Sequence, residues 1–270
     1  MFTRISRSVS AIIVGAAIAI AAPGGAALAL DAKQVLKEKK KSHDDVWEKF
    51  FSFRKNGKSK EAASTLEYAA EQGDHAAQWK LGKMYETGDG VAKDPAAAVR
   101  FYSKIVENYS EAQPGTADWQ FTGNAMVVLG RYYRDGVPEA GLRKDRSEAI
   151  IMFTTAATYF DHPDAQFELA RMYLEDGVGE GDAIQAARML KLASDQGHAG
   201  AHALLGQLLF EGEYLRRDPV RGLSMIIEAK KRASGAESVW ISSLQEEAFA
   251  SASEKERREA ILMIQKQAAQ

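Results

Sequence analysis

From Val46 onward, apolar residues return at intervals of three and four, the spacing of one face of an α-helix. Trp47, Phe50, Phe51 and Phe53 form the apolar side of a first predicted helix, which Asn56-Gly57 ends. The segments that follow repeat one another. Leu-Gly/Ala-x-x-Tyr occurs as Leu81-Gly82-Lys83-Met84-Tyr85, Leu129-Gly130-Arg131-Tyr132-Tyr133 and Leu169-Ala170-Arg171-Met172-Tyr173. Leu205-Gly206-Gln207-Leu208-Leu209 is a weaker copy. Leucine and tyrosine four apart share a helix face, and the small residue beside the leucine lets a neighbouring helix come close. Gly88, Gly136 and Gly212 stand seven residues after the leucine, where glycine supplies the left-handed geometry of a helix stop. The third repeat has its glycine one place later, at Gly177, so its turn is expected to differ.

Asp94, Asp145, Asp182 and Asp218 each precede a small residue (Ala98, Ala149, Ala186, Gly222) by four positions. Each is expected to cap a second helix by accepting from its free N–H groups, a better account than a metal site. Pro95 and Pro219 follow at the first helical position, where proline is tolerated. Ala62, Leu66, Ala69 and Gly73 match Ala186, Leu190, Ala193 and Gly197, so residues 46–74 read as one repeat with a degenerate first helix. The motif leucines are 48, 40 and 36 residues apart. The longer spacings hold insertions, Ser110–Asp118 and Pro138–Arg143, which belong in loops. After Ala233 the period weakens. Trp240, Leu244, Ala248 and Phe249 mark one helix, and Glu254–Gln267 a charged one with Ile261, Leu262 and Ile264 on one side. The pair reads as a C-terminal cap over residues 236–270.

The first residues differ in kind. Arg4 and Arg7 precede an apolar run from Ala11 to Ala22, Pro23-Gly24-Gly25 breaks it, and Ala27-Leu28-Ala29 has the form of a cleavage site. Residues 1–29 therefore read as a secretory signal peptide cut after Ala29, and the expected location is the periplasm. An uncleaved anchor is the alternative, but the run is short of the ~20 residues a span needs. Residues 30–45 form a polar leader containing Lys37 and Lys39-Lys40-Lys41, read as a frayed helix rather than a basic docking peptide. Cleavage lowers Lys+Arg from 35 to 33 against 37 Asp+Glu, a net charge of −4. That balance argues against a nucleic-acid binder. The absence of cysteine excludes disulfides, thiol catalysis, thiolate metal sites and a lipoprotein anchor.

No nucleophile elbow, phosphate loop or dinucleotide fingerprint is present, so the chain is read as a non-enzyme with no cofactor and no metal. His198 and His202 stand four apart, as two metal ligands can, but no third ligand accompanies them. His75, His162 and His198 all precede a predicted first helix, and their protonation is expected to loosen the stack.

Together these motifs resemble the Sel1-like repeats, relatives of the tetratricopeptide repeat, over residues ~46–235. The resemblance implies an all-α, right-handed α-solenoid of helix pairs with about 12 helices. Ala165-Gln166-Phe167-Glu168-Leu169-Ala170-Arg171-Met172, Gly197-His198-Ala199-Gly200-Ala201 and the tail run Gln245-Glu246-Glu247-Ala248-Phe249 are similar to a family of periplasmic negative regulators of exopolysaccharide production. That likeness implies a partner: the periplasmic domain of a membrane sensor histidine kinase, restrained within a two-component system that controls exopolysaccharide and motility. A periplasmic protease is a further implied partner. A scaffold for an envelope or polysaccharide-assembly complex is the alternative. By analogy with related helical pairs, three slots on each first helix face the concave groove. Two before the motif leucine stand Trp79, Val127, Phe167 and Ala203; two after it, Lys83, Arg131, Arg171 and Gln207; five after it, Glu86, Arg134, Leu174 and Phe210. The expected groove sets an apolar row beside a cationic row, suited to an acidic amphipathic segment. Charge reversal at Arg131 and Arg171 is expected to abolish partner binding and leave the fold intact.

Overall fold

A computed structural model describes residues 43–107, 109–175 and 180–268. The expected signal peptide, nearly all of the leader and Gly177 lie outside the described residues. Within them the chain is a succession of helices: α1 (43–55), α2 (Ser59–Glu71), α3 (His75–Thr87), α4 (Pro95–Val106), α5 (Ala117–Asp135), α6 (Arg146–Thr158), α7 (Pro163–Glu175), α8 (Glu180–Asp195), α9 (Ala199–Glu211), α10 (Pro219–Arg232), α11 (Gly235–Ser251) and α12 (Glu254–Ala268). Each insertion holds a short 3-10 turn, Tyr109–Glu111 and Pro138–Ala140. From Val46 on, the helices pack in pairs and the pairs stack, so the core runs as linked clusters rather than one centre.

The motif residues behave as packing and boundary devices. Leu81, Leu129 and Leu169 are buried. A Cβ on Gly82 would stand 2.6 Å from the Tyr102 ring of α4, and one on Gly130 would stand 2.6 Å from the Phe153 ring of α6. The glycine thus leaves room for an aromatic ring of the paired helix. In α9 and α10 the contact is backbone to backbone: Cβ atoms on Gly206 and Gly222 would lie 2.8 and 2.5 Å from each other's carbonyl oxygens.

Gly88 and Gly212 end α3 and α9 in the left-handed conformation. Gly136 does not. Its ψ of 157° sends the chain into a small loop closed by the bridge between Val137 and Leu142. Asp94, Asp145 and Asp218 accept from the backbone N–H of Ala97, Glu148 and Arg221 at 2.9, 3.0 and 3.2 Å, as helix caps do. Asp182 departs from the expectation. α8 already begins at Glu180, so this carboxylate lies inside the first turn, where it still favours the helix dipole.

The C-terminal pair closes the stack. Ile241, Leu244 and Ala248 of α11 and Ala260 of α12 share a buried cluster with Leu223 and Ile226 of α10. The buried face of α12 centres on Ala260, so Ile261 and Leu262 are exposed, contrary to the apolar side read from the sequence. A small residue allows the closer approach to α10 and turns the two larger ones outward.

Candidate functional site

The first helices α3, α5, α7 and α9 carry the twelve groove slots, of which Ala203 is fully buried, and the structure divides the other eleven by chemistry. The apolar row is mostly core. Val127 is buried among α5, α6 and α7, and Phe210 among α9, α10 and α11. Leu174 is half-buried against the cluster shared by α7, α8 and α9. Trp79 packs on Tyr102 and Phe121 with ring centroids 5.3 and 6.4 Å apart. These positions are therefore corrected from ligand-facing to stack-forming. The large apolar side chains in these slots are spent on packing against neighbouring helices. Phe167 is also buried, but its edge remains in the wall of a cleft.

The cationic row is largely neutralised. Lys83 pairs with Glu86 at 2.7 Å, and its Nζ lies 5.6 Å from the centre of the Trp79 ring. Glu86 also accepts from Tyr132 and Tyr102 at 2.9 and 3.2 Å. Burial opposes the charge on Glu86, but the hydrogen bonds from Lys83 and both tyrosines hold its carboxyl below the usual range.

Glu168, which the groove slots leave out, organises the middle of the row. Its side chain is 5 % exposed and meets Arg131 Nε at 2.7 Å, Arg134 Nη1 at 2.5 Å and Arg171 Nη1 at 3.4 Å. Arg134 additionally holds Asp135 through two 2.8 Å hydrogen bonds, and that bidentate pair raises its already high pKa. Charge reversal at Arg131 and Arg171 would therefore set two new carboxylates against a buried one. The expectation that such a variant keeps its fold is withdrawn.

Beside this clasp opens a cleft of about 800 Å³ between α7, α9 and α11. Of the expected residues, Arg131, Phe167, Arg171 and Gln207 line it. The others do not. The remaining wall includes Asp164, Glu168, His198, Arg232, Glu237 and Trp240. Three of these, Arg232, Glu237 and Trp240, come from the end of the repeats and the cap, where a motif-based reading has no slot to offer. For Asp164 and Glu168 the sequence carries no signal beyond two acidic residues on a helix.

The histidines are placed individually. His198 caps α9: its Nδ1 accepts from the Ala201 N–H at 3.1 Å. His162, before α7, lies 2.8 Å from Asn124 Oδ1 through Nε2, while its buried Nδ1 has no hydrogen-bond partner. Burial lowers its pKa, with Arg131 and His198 adding to the effect and Asp164 opposing it. His202 stands between Ser194 and Glu228 at 2.7 and 3.3 Å, and burial lowers its pKa too. No group of three potential ligands suited to a metal ion occurs among the described residues.

A family model described as Sel1 repeat matches residues 75–109, 123–158, 163–198 and 199–231, the helix pairs from α3 to α10. A solved Sel1 repeat protein from Oxalobacter formigenes superposes with a TM-score of 0.56 at 24 % identity, over 77 % of this chain and 79 % of that one, and shares the fold. An exopolysaccharide production negative regulator of Rhizobium meliloti (strain 1021) is 38 % identical over 216 residues, 80 % of this chain and 78 % of that protein. One of the same description from Rhizobium leguminosarum bv. viciae is 36 % identical over 251 residues, covering 92 % and 91 %. The chain belongs to the Sel1 repeat family, and within it to the family of these two regulators.

Proposed function

We propose that this protein is a periplasmic negative regulator of exopolysaccharide production that binds and restrains the sensor domain of a membrane histidine kinase. The reading rests chiefly on the two regulators at 36 and 38 % identity, aligned over most of the chain. The architecture supports it: stacked helix pairs present an extended concave surface, the usual recognition face of such arrays.

On this reading the sensor domain docks across α5, α7 and α9, with Arg171 and Gln207 as contact residues. Both are partly exposed. Arg171 meets Glu168 and Glu175 only at 3.4 and 3.7 Å, which leaves guanidinium donors for a partner. The test is capture of the mature protein from envelope extracts, followed by titration of the captured domain. A histidine kinase is expected, with affinity falling at least about tenfold for Arg171→Ala combined with Gln207→Ala, the loss of roughly 1.4 kcal/mol or more. A strain carrying that variant should overproduce exopolysaccharide. Capture of polysaccharide synthase or secretion components in place of a kinase would replace this reading with the scaffold one.

A further inference from the structure

In the cleft between α7, α9 and α11, polar groups outside the Glu168 clasp converge at distances beyond hydrogen bonding, which a flat docking surface does not offer. Asp164 Oδ2 is 3.6 Å from Arg131 Nη2, and its Oδ1 is 3.6 Å from His198 Nε2. Glu237 Oε1 is 3.9 Å from the same His198 nitrogen. Each gap is too long for a hydrogen bond, and each is suited to an inserted group that both donates and accepts. The His198 proton is assigned by the fold. Its Nδ1 accepts from the Ala201 N–H, so the neutral ring carries hydrogen on Nε2, aimed at the two carboxylates.

The chemistry of the lining narrows the ligand. Arg131, Arg171 and Arg232 are matched by Asp164, Glu168 and Glu237, so the charges cancel and neither a polyanion nor a polycation is favoured. Planar carboxylate, guanidinium and carboxamide groups can each address two neighbouring hydroxyls. The half-buried indole of Trp240 adds an apolar face to the same wall. Alternating donors and acceptors next to an aromatic face match a pyranose ring, with hydroxyls on its rim and C–H groups on its faces. The volume of about 800 Å³ lies within the range of about 300–1,000 Å³ typical of small-molecule sites.

Gly200 supports the site from below. A Cβ there would stand 2.8 Å from Glu237 Oε1 and 3.1 Å from both His198 Cε1 and Phe167 Cζ. A glycine in the first turn of α9 is what allows the Glu237 carboxylate to reach its position.

We infer that this cleft is a binding site for a neutral saccharide unit, held by Asp164, His198, Glu237 and Arg131 against Trp240. The inference adds a ligand to the surface assigned above to a protein partner, and rests on that assignment only for the consequence that sugar and partner compete for the cleft that Arg171 and Gln207 also line. Sugar binding is measured on the regulator alone, so its outcome is separate from that of kinase capture.

The experiment probes the mature protein with an array of neutral gluco-, galacto- and manno-oligosaccharides. Citrate and spermidine serve as charged counterparts, and an acidic amphipathic peptide as the protein-like one. Hits are then titrated calorimetrically. A neutral oligosaccharide should bind, and Glu237→Gln and Asp164→Asn should each weaken it at least about fivefold. Gly200→Ala should weaken it as well while leaving the melting temperature nearly unchanged, because the nearest atom it displaces is the far end of a flexible side chain. The proposal is overturned if no neutral sugar on the array binds, if citrate, spermidine or the peptide occupies the cleft in its place, or if sugar affinity ignores all three substitutions.

Discussion

At the scale of single residues, Glu168 carries the most consequence. A carboxylate at 5 % exposure is costly unless paired, and three guanidinium groups surround this one. Removing it leaves those cations facing one another. They are 39, 21 and 42 % exposed, so solvent screens part of the repulsion. Glu168→Gln should therefore cost about 1–2 kcal/mol in urea unfolding, below the 3–5 of a fully buried pair. A loss no larger than that of the surface control Glu175→Gln would show that the clasp contributes nothing. His162 controls a second property. Its folded-state pKa is lowered from 6.5, so the unfolded chain takes up the proton first as pH falls. Its contribution is present above about pH 6.5 and is lost progressively below it. His202 acts with the same sign. The melting temperature of the wild type should drop as pH falls below about 6.5, and His162→Gln should flatten that drop. An unaltered slope would assign the pH dependence elsewhere. Neither residue's role was legible in the sequence. Glu168 becomes a buried carboxylate only because α5 presents arginines opposite it. His162, one of three histidines with similar sequence positions, differs from His75 and His198 only in what the fold packs around it.

At the scale of elements, the paired helices test how a small motif residue works. Gly130 faces the Phe153 ring, whereas Gly222 faces the backbone of α9 at Phe210 N and Gly206 O. A ring can tilt, but a helix backbone must translate. Adding a methyl group to a packed core costs about 1–3 kcal/mol, offset by up to about 1 kcal/mol of helix propensity gained over glycine. Gly222→Ala should therefore lower the melting temperature clearly, and Gly130→Ala by less. The reverse order by differential scanning calorimetry would mean that α9 and α10 separate easily. Helix existence, the αL stops at Gly88 and Gly212 and the caps at Asp94, Asp145 and Asp218 were readable from spacing, because all depend on neighbours within one turn. Gly136 and Asp182 were misread for different reasons: the loop 137–142 inserted after Gly136 changes its backbone geometry, whereas α8 starts two residues before Asp182, at Glu180, even though that repeat has the shortest spacing.

At the scale of the whole molecule, stability passes from pair to pair, and each end must be closed. α11 and α12 cover Leu223 and Ile226 of α10. A chain ending after Arg232 should expose them and aggregate on size-exclusion chromatography, whereas Ile261→Ser with Leu262→Ser, both on the outer surface, should change stability by no more than about 0.5 kcal/mol per site. A monodisperse truncated chain would show that the last pair is dispensable. The closing pair also supplies Glu237 and Trp240 to the cleft, so the cap forms part of the proposed recognition surface. The sequence by itself determined the helix pairs, their order and the family, since all of these follow from local periodicity and repeated spacing. Tertiary structure alone decided which groove positions face solvent. Neighbouring helices close over those slots, so large apolar side chains there become core. It also decided which charges are already paired, and that a cleft forms where the repeats meet the cap. Those outcomes depend on residues distant in sequence arriving at one place, and periodicity carries no record of that.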